Sequence, residues 1–539
     1  QTFGYTLQLP SAAKSARQLP SRKVGLDTSH APQLALSALD NRTLAAAEKS
    51  TAQGGDDQTK VLQYATPRTL DLSAADGAWT DLPDGRRLWV ADVVSPNALG
   101  LRLHLSALAL PPGAELAIYA PAAEPQEAAA RAEVRQGSPA SRQRSALWTG
   151  TFPGERVRVE YLAPRGASGD ELPFRVDRLL HVYRDLVHEA WQAKEAGSCN
   201  NDVSCYGELA EVERAVALVL MPDRACTGTL IADLSHDGTP LFLTANHCVH
   251  SNADAADTEL VWFYKSAACN GQVPSLSSLP HSLGTSLVST STVSDFTLLR
   301  VKGALPPNPT FAGWTSDMPE GGTESLTIHH PDGDFKRVSF GVVDADARQC
   351  TRSFRGKKLV RIDWTDGPTE PGSSGAGIFR ADTLQLFGQL LGGPSSCGHE
   401  TYDCFGSFAA TYPRIEPFLG AGADDAAEDN DNCAHARTVA PGTMDGLVAK
   451  ANDDDWYRMR VPKGKKVTVH LDFVNADGDL ELQGKTSCAS GNVVTASLST
   501  DDTEEISLEG GPRRFTTVYW RVSLQGDTRN EYTMRVTLD

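Results

Sequence analysis

The first 198 residues contain no cysteine, and all ten cysteines of this 539-residue chain fall between Cys199 and Cys488. There is no CxxC pair, and the spacing from Cys199 to Cys205 is too loose for a zinc knuckle. The cysteines therefore read as disulfides formed in an oxidising compartment, and no metal or cofactor is expected. Long hydrophobic runs are also missing: no stretch approaches the ~20 apolar residues of a membrane span. Gln1 to Pro10 lacks a basic start followed by an apolar run, so any secretion signal is expected to have been removed or never to have been present. Positive charge is in deficit, with 50 Lys and Arg against 68 Asp and Glu and a formal charge of -18. Such a balance opposes binding to nucleic acid or an anionic membrane and favours solubility.

The chain does have the composition of a soluble protein rich in strands and turns, with 40% hydrophobic residues, 22% charged residues and 46 glycines. Its length calls for several modules. Residues 1–66 mix Ser, Ala, Gln, Lys and Asp with little periodicity, including the polar stretch from Lys49 to Lys60, and are expected to be a mobile part with no assigned fold. From there, Leu101, Leu103 and Leu105 alternate with other residues, as do Val157, Val159 and Tyr161, and turn signals separate the runs, so 67–194 reads as a β-sandwich. Short strands resume over 195–419, a length that fits two barrels. An acidic small-residue linker at 420–432 leads to a second sandwich at 433–539, whose two cysteines, Cys433 and Cys488, are expected to pair.

Acyl transfer by serine needs a nucleophile on a tight turn, because backbone N–H groups must converge on the oxyanion that forms. Gly372-Ser373-Ser374-Gly375-Ala376-Gly377 offers such a turn, with Ser374 as nucleophile and the amides of Gly372 and Ser374 as an oxyanion hole. Alone, this run reads more readily as a flexible loop than as a nucleophile turn. The stronger signal is Leu241-Phe-Leu-Thr-Ala-Asn-His247-Cys248, an apolar strand delivering a histidine that would act as general base. Asp295 opens the apolar run Phe296 to Leu299 and would orient the imidazole. The order His, Asp, Ser is that of chymotrypsin, not of subtilisin or the α/β-hydrolases.

Cys199-Asn-Asn-Asp-Val-Ser-Cys205, Cys226-Thr-Gly-Thr-Leu, Phe242 to Cys248, Ser294 to Leu299, Ile328-His-His-Pro331, Thr369-Glu-Pro-Gly-Ser-Ser-Gly375, Gly388-Gln389 and Gly392-Gly-Pro-Ser-Ser-Cys397 together resemble the secreted bacterial lysyl endopeptidase family over about 197–415. The resemblance implies a mainly β protein: a chymotrypsin-like double β-barrel protease flanked by an N-terminal β-sandwich pro-domain and a C-terminal β-sandwich. It also implies disulfides Cys199 to Cys397, Cys205 to Cys269 and Cys226 to Cys248, which leaves Cys350 and Cys404 to each other. The last module, with Asp453-Asp-Asp-Trp-Tyr-Arg-Met and Gly478-Asp-Leu-Glu-Leu, resembles the pre-peptidase C-terminal domain of secreted bacterial proteases.

Six residues before Ser374, where trypsin-like enzymes carry the acid that binds a basic side chain, stands Pro368. The resemblance points instead to Asp403, with Gly392 beside the substrate, Gly406 leaving room for a long side chain and a Cys350–Cys404 bridge bracing the wall. Glu370 and Asp366 are the alternatives. Leu391 occupies the place expected for the family's channel histidine, which puts strict Lys preference over Arg in doubt. Ser373 stands where chymotrypsin buries an aspartate that pairs with its new N-terminus, so activation cannot use that ion pair. Residues 1 to about 194 are instead expected to be a propeptide that folds against the protease and inhibits it, with an activating cut near Lys194. The segment from Ile415 to Ala436 has no Lys or Arg, so the enzyme should leave the linker uncut.

The expected protein is thus a secreted, extracellular, monomeric serine endopeptidase acting on proteins or peptides. Its rivals are a glutamyl-specific relative, which needs a cationic or histidine-lined pocket, and an inactive secreted adhesion protein. His329 and His330 read as structural, since adjacent side chains rarely converge on one ion. Asp453 to Asp455 with Asp477 and Asp479 read as a solvated acidic face in preference to a calcium site.

Overall fold

The structure is a computed structural model. It describes the chain apart from residues 1, 8–17, 53–58, 123–131, 138–144, 168–169, 185–196, 235, 237, 420–426, 428–429, 431, 451–453, 476–477, 489–492, 513–514 and 526–528. Strands dominate, and the contacts divide the chain into two compact units: residues 1–232 with 240–416, and residues 233–239 with 417–539. Among the described residues no helix is long and apolar enough to cross a membrane.

The first unit begins with a two-sheet sandwich. One sheet runs in the order Ser145–Trp148, Gly100–Leu108, Arg175–Val182, Ala65–Leu72, and the other in the order Gln33–Ala35, Arg87–Val94, Arg156–Ala163, Glu115–Tyr119, Glu133–Gln136. The alternating residues Leu101, Leu103 and Leu105 face Val157, Val159 and Tyr161 in one buried core. The opposite face of these strands is buried as well. Arg102 is only 1% exposed and donates to the carbonyl of Asp257 at 3.0 Å, because this sandwich packs on the half of the unit that carries the chemistry.

The described residues among 1–66 depart from the expectation of a mobile segment. Tyr5 pairs with Phe311 and stacks on its ring at 4.7 Å, Asn41–Ala52 forms a helix, and buried Ser21 bonds the Glu160 carboxylate at 2.7 and 2.8 Å. Each piece docks singly on a distant element and builds no core of its own, which is why it leaves no periodic trace.

The rest of the unit consists of two antiparallel sheets. The first runs His281–Leu283, Glu259–Trp262, Val216–Leu220, Arg224–Ile231, Leu241–Ala245, Phe296–Val301, Thr285–Ser291. In the second, Arg337–Asp344, Glu324–His329, Gly377–Arg380, Leu386–Gly392, Tyr402–Ser407 and Leu359–Asp366 close on themselves, since the last of these pairs back with the first. The sheets are stapled by Cys199–Cys397, Cys205–Cys269, Cys226–Cys248 and Cys350–Cys404. The second unit is a sandwich of a five-stranded and a four-stranded sheet around Tyr457, Val469, Leu482, Trp520 and Met534, with a Cys433–Cys488 bridge.

Candidate active site

Strand Leu241–Ala245 is buried throughout, and its last residue pairs with Phe296, so the residues just beyond this pairing meet at one sheet edge. Asp295 takes a left-handed backbone with φ of 55°, an uncommon conformation for a residue with a Cβ, and accepts the Asn246 amide at 2.8 Å. Its Oδ2 lies 2.6 Å from His247 Nδ1, and His247 Nε2 lies 2.7 Å from Ser374 Oγ. An ionised carboxylate can only accept, so Nδ1 carries the imidazole proton and Nε2 is left to accept from the serine hydroxyl. The structure therefore brings together three side chains 48 and 127 residues from one another along the chain.

The serine loop is held from beneath. Thr227 Oγ1 donates to the Gly372 carbonyl at 2.9 Å and the Thr227 amide to the Ser374 carbonyl at 2.8 Å. Gly372 has φ of 97°, and an added Cβ would stand 2.5 Å from the His330 carbonyl oxygen, so the turn requires glycine. Cys226, next to Thr227, is bonded to Cys248, next to His247, which ties the serine support to the histidine turn. Ser373 Oγ is 2.7 Å from His329 Nδ1, a fully buried pairing in place of an ion pair. Burial holds His329 and His330 down to about 3, so both rings are neutral. Among the described residues no group of three or more His, Cys, Asp or Glu side chains gathers to hold a metal.

Asp403 is wholly buried, with Oδ2 accepting from Trp364 Nε1 at 2.7 Å and from Thr369 Oγ1 at 2.6 Å, and Oδ1 accepting from the Ser395 amide at 3.3 Å. Burial pushes its carboxyl above the ordinary range, while the positive charge of Lys60 pulls the other way. Lys60 is a residue of this site that the sequence did not reveal. It is only 4% exposed, and its ammonium donates to the Ser395 carbonyl beside Asp403. Its carbonyl oxygen accepts from the amides of Gly372 at 2.5 Å and Ser374 at 3.2 Å, while Thr59 pairs antiparallel with Gly392. Two main-chain donors thus already converge on a peptide oxygen beside the serine hydroxyl, the geometry that stabilises a developing oxyanion.

The other expected site residues fall as follows. An added Cβ on Gly406 would strike the Ser294 carbonyl and the Gln389 amide, whereas one on Gly393 would stand 2.4 Å from Asp403 Oδ1. Room beside Asp403 is therefore made by Gly393 and not by Gly406: residues 403 and 406 are an odd number apart on one strand and face opposite sides. Leu391 packs in a buried cluster with Phe354, Leu359 and the Cys350–Cys404 bridge. Glu370 accepts from the Gly197 amide at 3.2 Å and from Asn200 Nδ2 at 2.6 Å, and Asp366 is exposed. Lys194, Asp453 and Asp477 lie outside the described residues.

The chain resembles a lysyl endopeptidase of Pseudomonas aeruginosa PAO1, with 28% identity over 384 residues, covering 66% of this chain and 80% of that protein. Among solved structures, the HtrA-type protease AlgW with tripeptide is 17% identical, with a TM-score of 0.29, and covers 39% of this chain and 62% of that one. The MamO protease domain of Magnetospirillum magneticum is 12% identical, with a TM-score of 0.26, and covers 38% and 96%. The family model described as lysyl endopeptidase N-terminal domain matches residues 35–183, and the one described as lysyl endopeptidase C-terminal domain matches 193–406. Matched over 35–183 and 193–406, this chain belongs to the lysyl endopeptidase family and is a serine endopeptidase.

Proposed function

We propose that the chain is the precursor of a secreted endopeptidase that cuts after basic residues, lysine first, through Ser374, His247 and Asp295. The observation that carries this reading is the imidazole bridging carboxylate and hydroxyl while the amides of Gly372 and Ser374 converge on a single carbonyl oxygen. Ser374 adds to the substrate carbonyl as His247 takes its proton. Asp295 holds the imidazole and steadies its charge, and the two amides receive the oxyanion. His247 then gives the proton to the departing amine, and water releases the acyl group by the same route.

Asp403 serves as the floor of the specificity pocket in this proposal. A buried carboxylate beside a lysine ammonium favours a cationic side chain and disfavours a glutamate, which counts against the glutamyl-directed alternative. The bonds from Trp364 and Thr369 keep that carboxylate satisfied and rigid when no substrate is present. Residues 1 to about 194 act as an intramolecular inhibitor, released by a cut near Lys194. Five disulfides among the described residues support export to an oxidising compartment. The C-terminal sandwich assists secretion or surface binding; of the acidic residues expected to form a solvated face, Asp455 is instead buried and accepts from the Tyr532 hydroxyl at 2.7 Å, while Asp454 pairs with Arg521 at 2.9 Å.

The test is labelling of the processed protein with a fluorophosphonate, together with a panel of short Lys, Arg and Glu substrates. Stoichiometric labelling at Ser374 with cleavage after Lys is expected. An unlabelled protein, or one that cuts only after Glu, would end the proposal.

A further inference from the structure

The segment from Thr59 to Tyr64 is gripped on both sides of one peptide bond. Before the bond, Thr59 pairs with Gly392, Lys60 extends its ammonium to Ser395 beside Asp403, and its carbonyl rests on the Gly372 and Ser374 amides. After it, Leu62 and Gln63 pair antiparallel with Ala225 and Arg224, the Tyr64 amide donates to Asp223 at 3.1 Å, and the Tyr64 hydroxyl donates to the Met221 carbonyl at 2.9 Å. Leu62 and Tyr64 are both buried against Leu218, Leu220 and Val261. A segment that only plugged the cleft would have no need for lysine at this register, where burying an ammonium is costly without anionic or carbonyl partners. These contacts together instead set the chain as a peptide runs through a protease, with one bond, Lys60–Val61, at the serine.

We propose that the Lys60–Val61 bond is the first substrate of this chain's own active site: the segment Thr59 to Tyr64 occupies the cleft as a bound peptide and Ser374 cuts after Lys60. The proposal rests on the lysine-directed reading above. In the reaction, Ser374 Oγ bonds to the Lys60 carbonyl carbon and its proton passes to His247. The bond to the Val61 nitrogen breaks as His247 returns that proton to the new amine. Water then adds to the acyl carbon, leaving Lys60 with a free carboxylate and restoring the serine hydroxyl. The cut differs from one near Lys194, because the leaving half stays paired with Arg224 and Ala225 and anchored through Tyr64.

The experiment follows the full chain after folding, with samples quenched in denaturant and read by N-terminal sequencing and intact mass, while hydrolysis of a short lysine substrate is measured in parallel. The expected result is a fragment beginning Val61-Leu62-Gln63-Tyr64, formed at a rate independent of protein concentration, and absent from Ser374→Ala and Lys60→Glu. Val61→Pro leaves the lysine in place but changes the leaving amine, and slows the cut at least 100-fold; it carries the test if glutamate at 60 prevents folding. A wild-type protein that hydrolyses the short substrate yet never yields a terminus at Val61 overturns the proposal and leaves the enzyme assignment standing. The same terminus in Ser374→Ala overturns it too. A chain that neither labels with fluorophosphonate nor hydrolyses the lysine substrate removes the parent reading and this one together.

Discussion

Arg102 of the N-terminal sandwich and Glu259 of the catalytic half lie 3.8 Å apart with 1% of each side chain exposed. Glu259 also accepts from Thr151 Oγ1 at 2.8 Å and is 2.6 Å from His281 Nδ1, so one buried carboxylate serves partners in both halves of the unit. Removing one member of such a set leaves an uncompensated buried charge. Glu259→Gln is expected to lower the unfolding free energy by about 3 kcal/mol, read from urea denaturation, and to make 61–183 more susceptible to an added protease.

For the chemistry, Ser374→Ala and His247→Ala in the processed enzyme should each reduce kcat by about 10^4-fold or more, with KM little changed. Asp295→Asn should cost a comparable factor, because an amide at the 2.6 Å contact no longer enforces the tautomer that leaves Nε2 free to accept. Pre-steady-state kinetics on a lysine ester would check all three.

Asp403→Asn should leave neutral substrates unaffected and reduce kcat/KM for lysine substrates by roughly 30- to several-thousand-fold, the range given by about 2–5 kcal/mol for losing one partner of a buried charge pair. Gly393→Ala should imitate it, since its Cβ would stand 2.4 Å from Asp403 Oδ1. Competition between lysine and alanine substrates is the measurement.

The bridge between Cys226 and Cys248 closes a separation of 22 residues and touches both the serine support and the histidine turn. Replacing both cysteines with alanine should lower stability by about 2–4 kcal/mol and reduce kcat as well. Removing Cys433–Cys488, in the other compact unit, should lower stability without changing kcat. Paired denaturation curves and turnover numbers distinguish the two.

Acid should weaken the full chain in a definite window. Burial holds His181 down to about 4 and His329 and His330 down to about 3, all from an ordinary 6.5. The unfolded chain therefore binds more protons below pH 6.5, and the stability these rings contribute above that pH is lost progressively down to about 3 to 4. Burial alone would raise Glu259, but His281, Arg102 and Thr151 hold it down to about 2, so its contribution is full above the ordinary 4.5 and is lost progressively as the pH falls toward 2. For His281 burial opposes the charged form, yet Glu259 raises it above 6.5, so its contribution is present below 6.5 and lost as pH rises through the raised value. The urea midpoint should drop between pH 7 and 4, and His181→Gln should make that slope shallower.

Much of this was legible in the sequence because the signals are local. An apolar strand ending in Asn246-His247-Cys248, an aspartate opening Phe296 to Leu299 and a glycine-bounded Ser374 each fix a turn within a few residues. The alternation of Leu101, Leu103 and Leu105 likewise reports a half-buried strand, although Arg102 on its other face is buried against Asp257 by contacts that no local pattern encodes. Lys60 was missed for the same reason. It closes a polar stretch that looks like linker, and its meaning comes from Gly372, Ser374 and Ser395, more than 300 residues away. Gly406 was misplaced because the strand's face assignment depends on register, which spacing to a family motif does not supply.

Tyr64 stands between two fates of the chain: Thr59 to Gln63 before it lie in the cleft, and Ala65–Leu72 directly after it is an edge strand of the N-terminal sandwich. With so little slack, the uncut segment can carry its lysine out of the cleft only if that strand shifts or melts, so on the inhibitory reading proposed above the sandwich core, far from any reacting atom, would hold back proteolysis until the Lys60–Val61 bond is cut. Cavity-forming changes at Leu103 or Val159 should then arm the enzyme early, making the folding strength of one domain the clock for the chemistry of the next.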